Sequence, residues 1–133
     1  MYLHLLDHRQ RTTFFQAAKL LAHSDGIHPS ELKVLNDVQA EWGIEAVEVF
    51  AADVATIVSE LAEVEPEAAR RAVGLELAGV VAADGVVSDE ETELYSAFGE
   101  ALGLNEISRL RALELAISWV RVSRTSEEFV AGR

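Results

Sequence analysis

The chain has no cysteine in 133 residues, which excludes a disulfide framework, thiolate zinc sites and a cysteine nucleophile together. Its longest uncharged apolar stretch in the interior, Leu77 to Ala83, lies between Glu76 and Asp84. That is far short of the roughly 20 residues a spanning helix needs. Basic residues are scarce: eleven against twenty-three acidic ones give a net charge of -12. Nonspecific nucleic-acid binding and attraction to an anionic membrane are thereby disfavoured, and cations or basic partners favoured. There is no phosphate-cradling glycine loop, no pair of histidines bracketing a glutamate and no serine in a nucleophile elbow, so nothing points to an enzyme. The amino terminus, Tyr2-Leu3-His4-Leu5-Leu6-Asp7, does not read as a targeting signal, and a cytoplasmic location is expected.

What remains is half apolar and about a quarter charged, the composition of a globular protein with a length suited to one domain. The apolar period is helical. Phe14, Ala17, Ala18 and Leu21 share one face, as do Leu94, Phe98, Ala101 and Leu102, and Leu110, Leu113, Ile117 and Val120. Each set is expected to bury a stripe. The segment after Pro66 (Ala69, Val73, Leu77, Val80, Val81) is apolar on most sides, as a central helix should be. Asp7 with Gln10 and Ser88 with Glu91 form capping-box patterns, and Asn105 is a good N-cap. The only two prolines, Pro29 and Pro66, suit first helical positions, while Gly43 and Gly103 suit left-handed helix ends. Helices are predicted near 8–23, 29–42, 45–62 (with a break near Asp53), 66–83, 88–102 and 106–122. Gly74 and Gly79 within a helix suggest close helix approach.

One unit occurs twice. Ala22-His23-Ser24-Asp25-Gly26-Ile27-His28-Pro29-Ser30-Glu31 matches Val81-Ala82-Ala83-Asp84-Gly85-Val86-Val87-Ser88-Asp89-Glu90-Glu91 if the first loop is one residue shorter. Downstream, Val34 then falls on Leu94, Val38 on Phe98, Trp42 on Leu102, Gly43 on Gly103 and Ile44 on Leu104. The expected fold is an all-α, single-domain bundle of about six helices. Its two helix hairpins, in repeats at about 8–44 and 66–104, are related by a pseudo-twofold axis and packed through their apolar faces.

The doubled pattern Ala-Asp-Gly-x-Val-Ser-x-x-Glu after an alanine-rich helix, about sixty residues apart, resembles the tellurite-resistance protein B family. The likeness covers about residues 10 to 121. It is full in the second copy, Ala83-Asp84-Gly85-Val86-Val87-Ser88-Asp89-Glu90-Glu91. The first copy departs from it, with Ser24 in place of the alanine and a shortened loop carrying His28-Pro29. The resemblance implies an all-helical bacterial domain that binds a divalent metal at its acidic loops and belongs to stress and metal-resistance systems. Relatives at the amino end of membrane-anchored DnaJ-like co-chaperones are followed by a J-domain, and that co-chaperone version is not expected here.

Read from the residues alone, Asp84 to Glu91 has the spacing of the second half of an EF-hand loop: Asp at position 5, Gly at 6, Ser at 9 and Glu at 12. Positions 1 and 3 are Val80 and Ala82, so a half-loop offers three or four oxygens where calcium takes 6–8. A pseudo-twofold fold would bring Asp25 and Glu31 toward Asp84 and Glu91, where a cation such as calcium or magnesium would relieve their mutual repulsion. Asp89 and Glu90 are auxiliary candidates. The same residues also serve a plain structural reading, with glycines and aspartates building turns and glutamates completing caps.

Charge is polarised along the chain. From Asp25 to Glu106 there are nineteen acidic and three basic residues, a balance of -16, and the remainder carries four against eight. Such a face suits a basic protein partner or concentrates cations, and equally keeps a half-apolar protein in solution. His4, His8, His23 and His28 are read as surface or capping residues, and Trp42 and Trp119 as core or groove residues.

Overall fold

The computed structural model describes residues 2–24, 35–37, 39–44, 53–83 and 88–133. Among them there is no strand, and the protein is a small all-α bundle. A short 3-10 turn, Leu3–Leu5, precedes α1 (His8–His23), and residues 35–37 and 39–41 are helical. Then come α2 (Val54–Ala62), α3 (Glu67–Ala82), α4 (Asp89–Ala101) and α5 (Glu106–Val130). The predicted helices near 29–42 and 45–62 are met in their later parts, and their starts lie outside the described residues.

Helix starts follow the capping residues. The Asp7 carboxylate accepts the Gln10 N–H at 2.8 Å while the Gln10 side chain accepts the Asp7 N–H at 3.1 Å, a complete capping box. Asp53 accepts from Thr56 N–H at 2.8 Å, which places the break before α2, and this bond with the Thr56 side chain holds its carboxyl below the usual range. Asn105 accepts from Ser108 N–H at 2.8 Å. Pro66 is one position earlier than expected. Its ψ of -174° makes it the N-cap, with Glu67 as first helical residue, because a proline φ suits either position and only ψ decides between them.

The two glycine exits carry the repeat into three dimensions. Gly43 and Gly103 have φ of +70° and +75°, a conformation that costs a side-chain-bearing residue about 1–2 kcal/mol. At the first exit Gly43 N–H bonds Ala40 O and Ile44 N–H bonds Gln39 O; at the second Gly103 N–H bonds Glu100 O and Leu104 N–H bonds Gly99 O. These are two Schellman motifs in the same register. The carbonyl that follows each is also satisfied, by different means. Gln39 Nε2 donates to Ile44 O at 3.0 Å, whereas Arg109 Nη1 reaches Leu104 O at 2.7 Å. Gly99 stands where the register places Gln39, and a Cβ there would meet the Arg109 side chain.

The core lies between α1, α3 and α4. Phe14, Ala17, Ala18 and Leu21 are buried, as are Ala69, Val73, Leu77 and Val81, Phe98 and Leu102. α3 is central, packing against α1, α4, α5 and the 3-10 turn. Gly74 is a point of close approach, since a Cβ would meet the Leu104 side chain. Gly79 has nothing within 4 Å and serves no such purpose. Arg70 ties the ends of two helices together: Nε donates to Val64 O at 2.6 Å, Nη2 to Ala62 O at 2.8 Å and Nη1 to Leu102 O at 3.4 Å. A guanidinium at two helix C-termini offsets their exposed carbonyl charge.

α5 departs most from expectation. It runs to Val130 rather than 122, because nothing between Val122 and Gly132 breaks it; Gly132, at φ +78°, ends it. Nor does it bury the Leu110-Leu113-Ile117-Val120 stripe. Its buried residues are Ala112 and Ala116, Leu113 and Val120 are half-buried, and Leu110 and Ile117 are exposed. The small alanines let α5 and α3 come together, and the branched stripe is turned sideways. Of the two tryptophans read as core or groove residues, Trp119 is 56% exposed and not in the core, whereas Trp42 packs at the core edge under the Arg11 guanidinium, 4.1 Å from its ring centre.

Candidate functional site

Three of the candidate ligands, Asp89, Glu90 and Glu91, lie where α4 begins. Ser88, extended at φ -82° and ψ 162°, accepts the Glu91 N–H on Oγ at 3.1 Å and the Thr92 N–H on its carbonyl at 3.1 Å. The cap starts the helix at Asp89 and packs three carboxylates, Asp89, Glu90 and Glu91, into its first turn. A helix N-terminus tolerates that density because its free N–H groups carry partial positive charge. The turn then divides its acids. Asp89 and Glu90 are exposed, while Glu91 is 5% exposed.

Asp84 lies outside the described residues, as do Asp25 and Glu31 of the first loop. Among the described residues no group of three or more His, Asp or Glu side chains is placed to hold a metal. The pairing of two acidic loops therefore stays an expectation. His4, His8 and His23 are exposed, as read from the sequence, and His28 lies outside the described residues.

Buried polar residues are what sequence reasoning passed over. The buried polar residues among those described are Thr13, Gln16, Lys19, Gln39 and Glu91. Three of the five are on α1, which packs against α4. Thr13 Oγ1 lies 2.9 Å from Glu60 Oε2 and 3.1 Å from Arg9 O. Lys19 is 3% exposed, and desolvation pulls its pKa below the ordinary lysine value. A signal was available: Phe15, Lys19 and Ala22 recur at i, i+4 and i+7, so the lysine sits in the buried stripe of α1.

A cleft of about 320 Å³ is lined by Glu65, Pro66, Glu67, Arg70, Leu102, Gly103 and Leu104. Its one cationic group, Arg70, is already committed to three backbone carbonyls. No helix among the described residues is long and apolar enough to cross a membrane. Comparisons of the chain with known protein families, curated proteins and solved structures give no match.

Proposed function

We propose that this chain is a non-enzymatic helical interaction module that responds to a divalent cation, similar to the tellurite-resistance and stress-response proteins its repeat resembles, and that it works in the cytoplasm. The half-loop spacing carries this reading: Asp84 at position 5, Gly85 at 6, Ser88 at 9 and Glu91 at 12 stand as the second half of an EF-hand loop requires. In this reading Asp84 and Glu91 are the principal ligands, Asp25 and Glu31 their symmetry mates, and Asp89 or Glu90 auxiliaries. Calcium or magnesium bound there neutralises the loop carboxylates and fixes the angle between the hairpins. The surface offered to a protein partner changes with it.

A second reading is supported by the exposed acidic residues Glu63, Glu65, Glu67, Glu93 and Glu100, which lie within the segment of balance -16. Here the protein is a metal-independent scaffold whose acidic face docks a basic partner, and the Asp-Gly loops are turns only.

Thermal melting with calcium, magnesium, manganese or zinc against EDTA, at matched ionic strength, separates the two. A cation at a hundred times its Kd stabilises by about 2.7 kcal/mol, roughly 8–13 °C for a chain of this size. Glu91→Gln is expected to abolish that shift. Equal responses from wild type and variant, or no response to any cation, favour the scaffold.

A further inference from the structure

α5 turns its smallest side chains to the protein and leaves larger ones outside. Ala112 and Ala116 are buried, whereas Leu115, Trp119, Val122 and Phe129 are 51, 56, 58 and 82% exposed. With Ser126 they recur at i, i+4, i+7, i+11 and i+14, the a/d spacing of a coiled-coil seam. At 3.6 residues per turn these five positions fall within about 80° of one another. On the side away from the bundle the seam is flanked by Ser118 and Thr125. Both are small and uncharged, which allows close helix approach.

We propose that this seam joins two copies of the chain, with their α5 helices antiparallel. Exposure supports it: four large apolar side chains in one row stand 51 to 82% exposed, a contiguous patch of the kind that marks a protein–protein contact. Electrostatics selects the place. The segment Asp25 to Glu106 carries -16, so two copies repel one another through that segment. After Glu106 the chain has five arginines against Glu114, Glu127 and Glu128, and the seam itself is uncharged apart from Arg111 at its start.

The antiparallel direction follows from the same residues. A twofold axis between Trp119 and Val122 sets Trp119 of one copy on Val122 of the other, Leu115 on Ser126 and Ser118 on Thr125. Arg111 then meets the carbonyl end of the opposing helix near Val130, a favourable position for a cation. A parallel pair aligns two helix dipoles and brings the acidic segments side by side.

Sedimentation velocity of the intact chain between about 1 and 100 µM is expected to show a reversible dimer. Val122→Glu and Trp119→Glu each weaken it at least about 10-fold, as loss of an interface centre does, while circular dichroism shows unchanged helix content. Val122→Ser serves as the milder variant should the glutamate lower helicity. Leu110→Glu, exposed on the opposite flank of α5, leaves the dimer intact. A wild-type monomer throughout that range overturns the proposal. So does a dimer indifferent to both seam variants, or one that Leu110→Glu disrupts equally.

Discussion

Replacing Tyr95 by phenylalanine tests the hydrogen bond buried where α3 meets α4. The Tyr95 ring is 1% exposed and its hydroxyl donates to Gly74 O at 3.1 Å. At neutral pH the variant loses one hydrogen bond, a cost of about 1 kcal/mol. In alkali the order reverses. Burial pushes the hydroxyl up from 10.0 to about 12, against a smaller opposing pull from the Arg109 cation. The unfolded chain therefore gives up this proton first. The wild type keeps its full stability below pH 10 and loses it progressively as pH rises through 12, by about 2.7 kcal/mol for two units. The two proteins are then equally stable near pH 10.7, where the loss reaches about 1 kcal/mol. Above it the variant is the more stable. Lys19, whose pKa burial lowers, moves the other way with pH, but it is common to both chains and leaves the difference unchanged. Urea denaturation followed by circular dichroism at half-unit steps from pH 7 to 12 measures that difference. A gap that stays constant across the range means that the buried hydroxyl does not carry the titration, and refutes the reasoning.

Two further sites, Arg70 and Gly99, test the helix ends. Arg70→Met removes the guanidinium shared by Val64, Ala62 and Leu102 carbonyls and should cost about 2–3 kcal/mol, seen as a lower urea midpoint at unchanged slope. Arg70→Lys should recover little of it, since an ammonium cannot span three carbonyls in a fork. Gly99→Ala drives a methyl into the Arg109 side chain and is expected to destabilise by about 1–2 kcal/mol. In the Arg109→Ala background the same change should become neutral or stabilising, a coupling of about 1–2 kcal/mol in a double-mutant cycle; simple additivity would contradict the assignment.

Much of the bundle is legible in the sequence because its determinants are local. Asp7, Ser88 and Asn105 start helices through side-chain oxygens three residues from the amides they cap, and Gly43 and Gly103 stop them through a backbone conformation available to few residues. The same holds for the Phe14 and Phe98 stripes, where periodicity and burial coincide. It fails for α5. Hydropathy ranks Leu110 and Ile117 above Ala112 and Ala116, yet the bundle buries the alanines. The candidate site is legible only as a pattern, Asp84 to Glu91, and one of its members, Glu91, is buried.

Residue order alone settled where helices begin and end and which part of the chain repeats, because caps, turns and periodicity act over a few bonds. Tertiary structure alone decided which stripe of α5 faces inward, and that Arg109 does for Leu104 what Gln39 does for Ile44. Those outcomes depend on how closely neighbouring backbones approach, and on which polar groups the packing then withdraws from water.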